Sequence, residues 1–595
     1  MDGNVYSAAV DVAFRGAAVS VGVLRDSLHY AKDAERLVLN LELERFRLHI
    51  WGENCGLVPA DDKQETVLHP RLVPIGAVLG CMLDEIRHLM QDADKLAERY
   101  GLCETDQDAT KSQQIEALVQ KMAASVKATT TKHNGKRDLV ISEAKTKTAS
   151  PTKRLRWAIQ DVKKFNGLVV DLANRINKLN QLLTESQQAK LQQDQERISI
   201  VMVENIKDMS SLELLLAAAK SSKSNDIGSS ATQTRIENKS LSLEVNLPVI
   251  PQPLPPPPAF SQYTLPADYQ NKKRFIATKD NQPYLFEAKT FDPHISPEIK
   301  KLLNARLQRL VMLLSKPKTA GFYTPEAVGC IHDPSSSCWW MVFRLRGSTA
   351  SSTAVSTEDE KVPVSLHDLL TKSKLKPALE DRYRLASRLC STLFELYSSS
   401  WLHKGVRSAN VLFDSAISTS INQKSTVLDS LILCGFDFAR QESEMSSVTT
   451  AASSKDVEAA MYRHPRYQGT EQRYRIEYDM YSLGLVLVEI ALWVPLSSFL
   501  LATNNKNRVD SPDRRLLRSP AMDVFGEEQA KTLRKHVFRR LESEFAFRVG
   551  TAYMEATRFC LEFGEREVGE EERHPALEFY NCVVVPLSRL AEVKS

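Results

Sequence analysis

The sequence predicts a multi-domain protein, an N-terminal all-α helical bundle followed by a C-terminal α+β domain. Three observations carry that expectation. Apolar residues recur at helical spacing over residues 1–220. A polar and then proline-rich stretch interrupts the pattern over 221–271, and strand-like runs mix with longer helices over 272–595. At 595 residues the chain is also too long for a single hydrophobic core.

In the first zone Phe165, Val169, Leu172, Ile176, Leu179 and Leu183 repeat at spacings of four and three, with Asp171, Arg175 and Lys178 facing away. Leu39, Leu43, Phe46 and Ile50 repeat likewise, and flanking Leu41 and Leu48 predict a helix buried on most sides. Leu79, Met82, Ile86, Leu89 and Ala93 suggest a third helix. Each stripe reads first as bundle core. Val5, Ala8, Val12, Val19 and Val23 form a stripe of small residues, which predicts a loosely packed first helix that detaches at modest cost. Residues 121–164 hold twelve Lys or Arg against three acids. Such a run reads as a solvated loop; against an anionic leaflet each charge would contribute about 1 kcal/mol.

The interruption opens "SSKSNDIGSSATQTRIENKS", too polar to order itself, and closes "NLPVIPQPLPPPPAF", which favours extended polyproline. It reads as a linker with a stiff end.

Hydrophobic content of 43% and charged content of 26% suit a soluble globular chain, and a formal charge of +4 argues against an obligate nucleic-acid binder. Asp2, Asp11 and Arg15 interrupt the first apolar stretch, so no signal peptide is expected. Nine scattered cysteines without a C-x-x-C pair suit a reducing, cytoplasmic setting and predict neither disulfide frame nor zinc site.

Two segments, "LNLELERFRLHIWGENCGL" (39–57) and "RLRWAIQDVKKFNGLVVDLANRINKLNQLL" (154–183), resemble the fungal HeLo domain, the prion-inhibition and propagation family. The resemblance covers roughly residues 1–215 and implies a helical-bundle cell-death effector that self-associates and whose N-terminal segment enters membrane on activation. Here that role falls on residues 4–24, with Val5, Val12, Phe14, Val19, Val21, Val23 and Leu24 as membrane-segment candidates. Asp11 and Arg15 oppose insertion, since a charge at the bilayer centre costs about 2.5–3.5 kcal/mol, although their i, i+4 spacing lets them pair.

Beyond residue 272 landmarks fall in the order of a protein kinase. "PYLFEAKTF" (283–291) reads as a strand whose Lys289 stands where the phosphate-pairing lysine would, and 297–314 suits the helix after it. "SCWWMVFRL" (337–345) suits the fourth and fifth strands, and 381–404 the long helix entering the catalytic loop. "LILCGFDFAR" (431–440) takes the metal-loop position, and "YDMYSLGLVLVEIALW" (478–493) resembles a buried central helix. Asp479 at its start would serve as a structural anchor by bonding the catalytic-loop backbone. The implied domain is bilobal and protein-kinase-like.

Its chemistry is broken at five places. In "WLHKGVRSANVLF" (401–413) His403 and Asn410 keep the H-R-D-L-x-x-x-N spacing, but Gly405 replaces the base. The metal-binding D-F-G reads Gly435-Phe436-Asp437. No glycine occurs over 229–320, where a phosphate-covering loop would need close backbone approach. Only Glu298 offers Lys289 a partner on the following helix, and A-P-E reads His464-Pro465-Arg466. These lesions imply a pseudokinase with no catalytic residue and no cofactor. In a shifted register Asp437-Phe438-Ala439, with Lys289 and Asn410, would hold Mg²⁺-ATP weakly.

A bundle joined to a pseudokinase resembles in architecture the mixed-lineage kinase-like necroptosis executioners. The combination implies a cell-death effector of the heterokaryon-incompatibility type. It would be cytoplasmic, recruited to the plasma membrane on activation, and homo-oligomeric through the bundle, with conditional lipid contact and an upstream activator. The alternatives are a non-membrane adaptor or oligomerisation protein, and a divergent ATP-binding kinase. Residues 497–595 add a helix over 547–563 and a loop carrying Arg514, Arg515 and Arg518.

Overall fold

The computed structural model describes residues 3–58, 66–130, 155–221, 230–243, 258–291, 293–315, 322–345, 363–373, 375–413, 428–441, 456–468, 474–501, 525–565 and 574–592. Contacts divide the chain into two units, Met1–Glu244 and Val245–Ser595.

In the first unit helices α1 (Gly3–Asp26), α2 (Glu35–Cys55), α3 (Gly76–Gln91), α4 (Ala93–Glu98) and α5 (Gln113–Thr130) precede α6 (Val162–Gln181), α7 (Glu185–Asn205) and α8 (Met209–Ser221). Their starts follow from capping chemistry. Asp161 accepts from the backbone N–H groups of Lys163 and Lys164 at the head of α6, and Thr184 forms a capping box with Gln187 at the head of α7. Helix α2 runs through the centre and packs on α1, α6, α7 and α8. It is buried nearly all round, as its doubled apolar stripe predicts, and so carries Asn40, Glu42, Glu44, Arg47 and His49 into the interior. There Arg47 donates to Glu44 at 2.5 Å and to Asn177 at 2.7 Å, so the buried charges are partnered.

Three expectations for this unit need correction. Among the described residues the unit is helical apart from a small sheet of β1 (Leu28–His29), β2 (Leu102–Glu104) and β3 (Trp157–Ile159), in the order β1-β3-β2. These pieces are too short to show a period of two. Second, the predicted linker holds a helix, α9 (Ser230–Leu243), which packs on α7 and α8. Polar residues hold it there: Arg235 is buried and donates to Glu196 at 2.8 Å, and Thr232 donates to Ser199 at 3.3 Å. Third, the small-residue stripe of α1 is not its docking face. Val12 and Val23 are 65% and 50% exposed, whereas Val10, Ala13, Phe14, Ala17, Val21 and Leu24 are buried. Val19 is half-buried. The helix is apolar on both sides, so periodicity could not choose between them. The side chain of Val5 and most of the basic run, 131–154, lie outside the described residues.

The second unit opens with an antiparallel sheet of β4 (Arg274–Lys279), β5 (Gln282–Thr290), β6 (Glu326–Asp333) and β7 (Cys338–Arg344), in the order β4-β5-β7-β6. Helix α10 (Pro297–Ser315) connects β5 to β6 and packs on β6. The segment predicted as two strands, 337–345, forms β7 alone; its neighbour is 326–333. Residues 258–271, assigned to the linker, lie on the sheet. Tyr263 sits edge-on to Phe286 at 5.1 Å, and Tyr269 edge-on to Trp340 at 6.1 Å.

Then come β8 (Val364–Ser365), α11 (Leu366–Thr371), α12 (Leu379–Tyr397), β9 (Trp401–Leu402), β10 (Val411–Phe413), β11 (Leu431–Leu433) and β12 (Arg440–Gln441). Strands β11-β10-β8 form one small sheet and β12-β9 another. The remaining helices are α13 (Val457–Met461), α14 (Ile476–Leu492), α15 (Ser498–Leu501), α16 (Glu527–Arg540), α17 (Ala546–Glu562), α18 (Pro575–Phe579) and α19 (Val585–Ala591). Helix α14 is almost wholly buried and packs on α12 and α17. Arg514, Arg515 and Arg518 lie outside the described residues.

Candidate functional site

Strand alternation builds the site. Across the β4–β5 hairpin Arg274 stands opposite Glu287, and Lys289 follows two residues later on the same face. Phe275, Phe286 and Ala277 occupy the opposite face and join the aromatic core. The hairpin closes at Asp280-Asn281, with φ values of 51° and 60°, the left-handed pair that a two-residue turn requires. Among the described residues before β4, only an isolated bridge, Thr264 to Thr278, accompanies the sheet. The turn is tight, and among the described residues no glycine loop precedes Lys289.

Between this face and the 401–413 loop, protein side chains occupy the space. Arg274 Nε donates to Glu287 at 2.7 Å, Nη1 to the Ala409 carbonyl at 3.1 Å and Nη2 to Asn410 Oδ1 at 2.9 Å. Burial is the largest influence on the Arg274 charge and disfavours it, but Glu287, Cys434 and Asp437 together outweigh it and the pKa is raised. Glu287 in turn accepts from the Gly435 N–H with both oxygens, at 3.1 and 3.0 Å. Asn410 Nδ2 donates to the Gly405 carbonyl at 2.7 Å, so the amide is used on both sides.

The two glycines are required by this packing. Gly435 has φ 82°, and a Cβ there would lie 2.1 Å from Asn410 Nδ2. A Cβ on Gly405 would lie 2.9 Å from the Gly435 carbonyl oxygen. An acid at either place collides with the present arrangement.

The other predicted residues are also brought here. Lys289 is buried and its Nζ donates to the Asp437 carbonyl at 2.7 Å. Glu298, by contrast, is exposed, and its carboxylate is drawn down by its own N–H and the Ser296 hydroxyl. Phe436 is buried against His403, ring centroids 4.6 Å apart, while Phe438 is 36% exposed. Phe436 is thus the inward ring, with Gly435 before it, and in the shifted frame Asp437-Phe438-Ala439 the ring faces outward. Asp437 is pushed up to about 6 by burial and by Glu287, against Lys289, Arg407 and Arg274.

His403 is fully buried, and burial pushes its pKa down to about 3. It is therefore neutral, and its Nδ1 accepts from the Gly405 N–H at 3.2 Å. Asp479, also buried, accepts from the backbone N–H of His403 at 2.6 Å, from that of Lys404 at 2.8 Å and from the Tyr474 hydroxyl at 2.6 Å. Lys404 has φ 60°, a left-handed conformation that these bonds hold in place. Among the described residues no group of three or more His, Cys, Asp or Glu side chains is placed to hold a metal.

Sequence reasoning missed Arg274 and Glu287. Their signal was the turn: once Asp280-Asn281 is centred, the register puts them opposite each other.

In the first unit the predicted membrane segment forms α1. Ser7–Asp26 is a 20-residue stretch of mean hydropathy 1.5, long and apolar enough to cross a bilayer and half buried against the bundle. Phe14 lies on the backbone of Gly52, where a Cβ would come within 2.3 Å of the ring, and 6.3 Å from Trp51. At the other end Arg25 bonds the buried Glu42 at 2.9 Å and Glu116 at 2.7 Å. Arg15 and Asp11 pair at 3.0 Å across one turn.

Comparison with known proteins finds likenesses of two kinds. A curated relative is mitogen-activated protein kinase 15 of Xenopus laevis, 28% identical over 154 residues. Those residues are 26% of this chain, and the chain spans about a quarter (24%) of that relative's length. Among solved structures, a chain of the yeast RNA Pol II CTD kinase CTDK-1 complex is 18% identical, covering 42% of this chain and 67% of that one. Its TM-score of 0.26 is too low to define a shared fold. Residues 7–215 match the model of the HeLo family, described as prion-inhibition and propagation. The N-terminal domain is HeLo-like and is followed by a mixed α/β region, and the chain has weak similarity to kinase-fold proteins.

Proposed function

We propose that the chain is a regulated cell-death effector in which a catalytically dead kinase-like domain controls a membrane-targeting HeLo bundle. The observation that carries this reading is α1: it is apolar toward the bundle and toward solvent, with Val12 and Val23 exposed, and it belongs to a HeLo-like domain. A helix of that kind gains by exchanging a wet face for lipid, and leaving the bundle would cost the burial of Val10, Phe14, Val21 and Leu24 and the Arg25 ion pairs.

Support for a pseudokinase comes from the cleft. Phosphoryl transfer depends on positioned charge, and here Arg274 lies where a Mg²⁺-nucleotide would need to be held, with glycine at both acidic positions. Such a domain works as a two-state element that a partner or modification biases. The proposed order is sensing, separation, self-association through the bundle and contact of α1 with the plasma membrane.

Dye release from anionic liposomes tests the reading. Residues 1–244 should cause leakage, and the full chain much less. An absence of leakage from both, with α1 intact, removes the effector assignment and leaves an adaptor. Deleting residues 1–26 separates these further, because an adaptor keeps its self-association.

A further inference from the structure

Helix α9 is held to the bundle by a different chemistry from its neighbours. Six of the 14 residues of "SATQTRIENKSLSL" are Ser, Thr or Asn, which favour caps and turns over helix interiors. A helix of that length is marginal in water by itself, so its helicity depends on docking. Yet Ile236 is the one buried apolar residue among its described side chains, whereas α6 docks through six.

The rest of the contact is polar. Toward α7, Arg235 is 1% exposed and donates to Glu196 at 2.8 Å, beside the Thr232–Ser199 bond. Toward α8, Gln233 donates to the Ala219 carbonyl at 3.3 Å and Lys220 pairs with Glu237 at 2.8 Å. Asn238 is also buried, and its side-chain oxygen has no hydrogen-bond partner among the described residues. All these groups regain water when the helix leaves, so the buried ion pair adds little net holding force.

We propose that α9 is a detachable clasp that sets the length of the tether between the two units. Docked, it leaves residues 244–257 to span from the helix to Pro258, the next described residue. Released and melted, it leaves residues 222–257. At about 3.5 Å per extended residue these segments reach at most about 50 Å and about 125 Å. The clasp works in this way whatever the two units do. Opening it leaves α1–α8 folded, because Ile236 is the single α9 side chain in their apolar core.

Hydrogen exchange and limited trypsin digestion, both on the full chain, test this. Amides over 230–243 should exchange at least about tenfold faster than those of α7 and α8, through an opening that does not involve the bundle. Trypsin should cut after Arg235 and Lys239, both buried while the helix is docked, before it cuts after Arg197 in α7. Arg235→Gln leaves Glu196 uncompensated in the docked state and should speed exchange over 230–243 about tenfold or more, with α2 and α6 still protected. Ile236→Ala should do the same through packing instead of charge. Equal protection of α9 and α7, or unchanged exchange over 230–243 in both variants, overturns the proposal. So does loss of α2 protection in both variants, which would make α9 part of the core.

Discussion

Arg274 Nη2 and Asn410 Oδ1 are joined at 2.9 Å, so the asparagine of the 401–413 loop already faces a fixed internal cation. A divalent ion brought to that amide would meet a guanidinium, with Glu287 as its counter-charge. Nucleotide binding therefore requires breaking an ion pair whose carboxylate is buried. Mg²⁺-ATP should leave the melting temperature unchanged, whereas a ligand at a hundred times its Kd would add about 2.7 kcal/mol. Arg274→Ala should not create binding either; it should cost about 3 kcal/mol by leaving Glu287 unpaired. A clear thermal shift with Mg²⁺-ATP in the unaltered chain would restore the kinase alternative.

Gly435 gives a sharper test of the same packing. Its φ of 82° costs an L-residue about 1–2 kcal/mol, and a Cβ would displace the Asn410 amide from 2.1 Å away. Gly435→Ala should lower the stability of the second unit by about 2 kcal/mol or more, read as a reduced urea midpoint at unchanged slope. The double change Gly405→Asp and Gly435→Asp should yield no phosphoryl transfer. A neutral Gly435→Ala variant would mean that the loop does not hold this conformation.

These elements differ in how far the sequence discloses them. The stripes of α2, α3 and α6 were legible because one or more faces are strictly apolar, and periodicity reports little else. That Lys289, His403 and Asn410 fall in one region was legible from order and spacing. Arg274 and Glu287 were not, because a strand residue's neighbour is set by register, and register hung on the Asp280-Asn281 turn. Helix α9 was hidden for the opposite reason: Arg235, Thr232 and Asn238 are buried, yet their composition is that of a solvated linker. For α1 both faces are apolar, so pattern alone gave the helix and not its docking side.

The docking side matters for release. Phe14 fills the space left by the absent side chain of Gly52, so two substitutions act on one contact from opposite sides. Phe14→Ala should destabilise α1 docking by about 3–5 kcal/mol, and Gly52→Ala should expel the ring by overlap. Both should raise amide exchange selectively across residues 7–26 and increase liposome leakage by the full chain. Faster exchange without added leakage would favour the adaptor; unchanged exchange would show that Phe14 does not hold the helix.

The second unit carries a pH-dependent tie at Glu489. This buried carboxylate accepts from the Tyr462 hydroxyl at 2.9 Å and from the Leu496 N–H at 2.8 Å, with the Ser408 hydroxyl at 3.4 Å. It thereby links the 401–413 loop to α13 and the end of α14. Burial raises its pKa from 4.5 to about 7 despite those donors. The folded state thus retains a proton that the unfolded state has released between pH 4.5 and 7. Stability from this group falls as pH rises through that window and is level above it, by an amount on the order of 3 kcal/mol. Glu489→Gln keeps an acceptor and a donor there and does not titrate. The difference in melting temperature, variant minus unaltered chain, should therefore grow more positive from about pH 5 to about pH 7 and then stop changing. Groups common to both chains, including the depressed His403 and His464, cancel in that difference. A difference that stays flat across the window would mean that Glu489 titrates as an ordinary carboxylate, and that the tie is charged throughout.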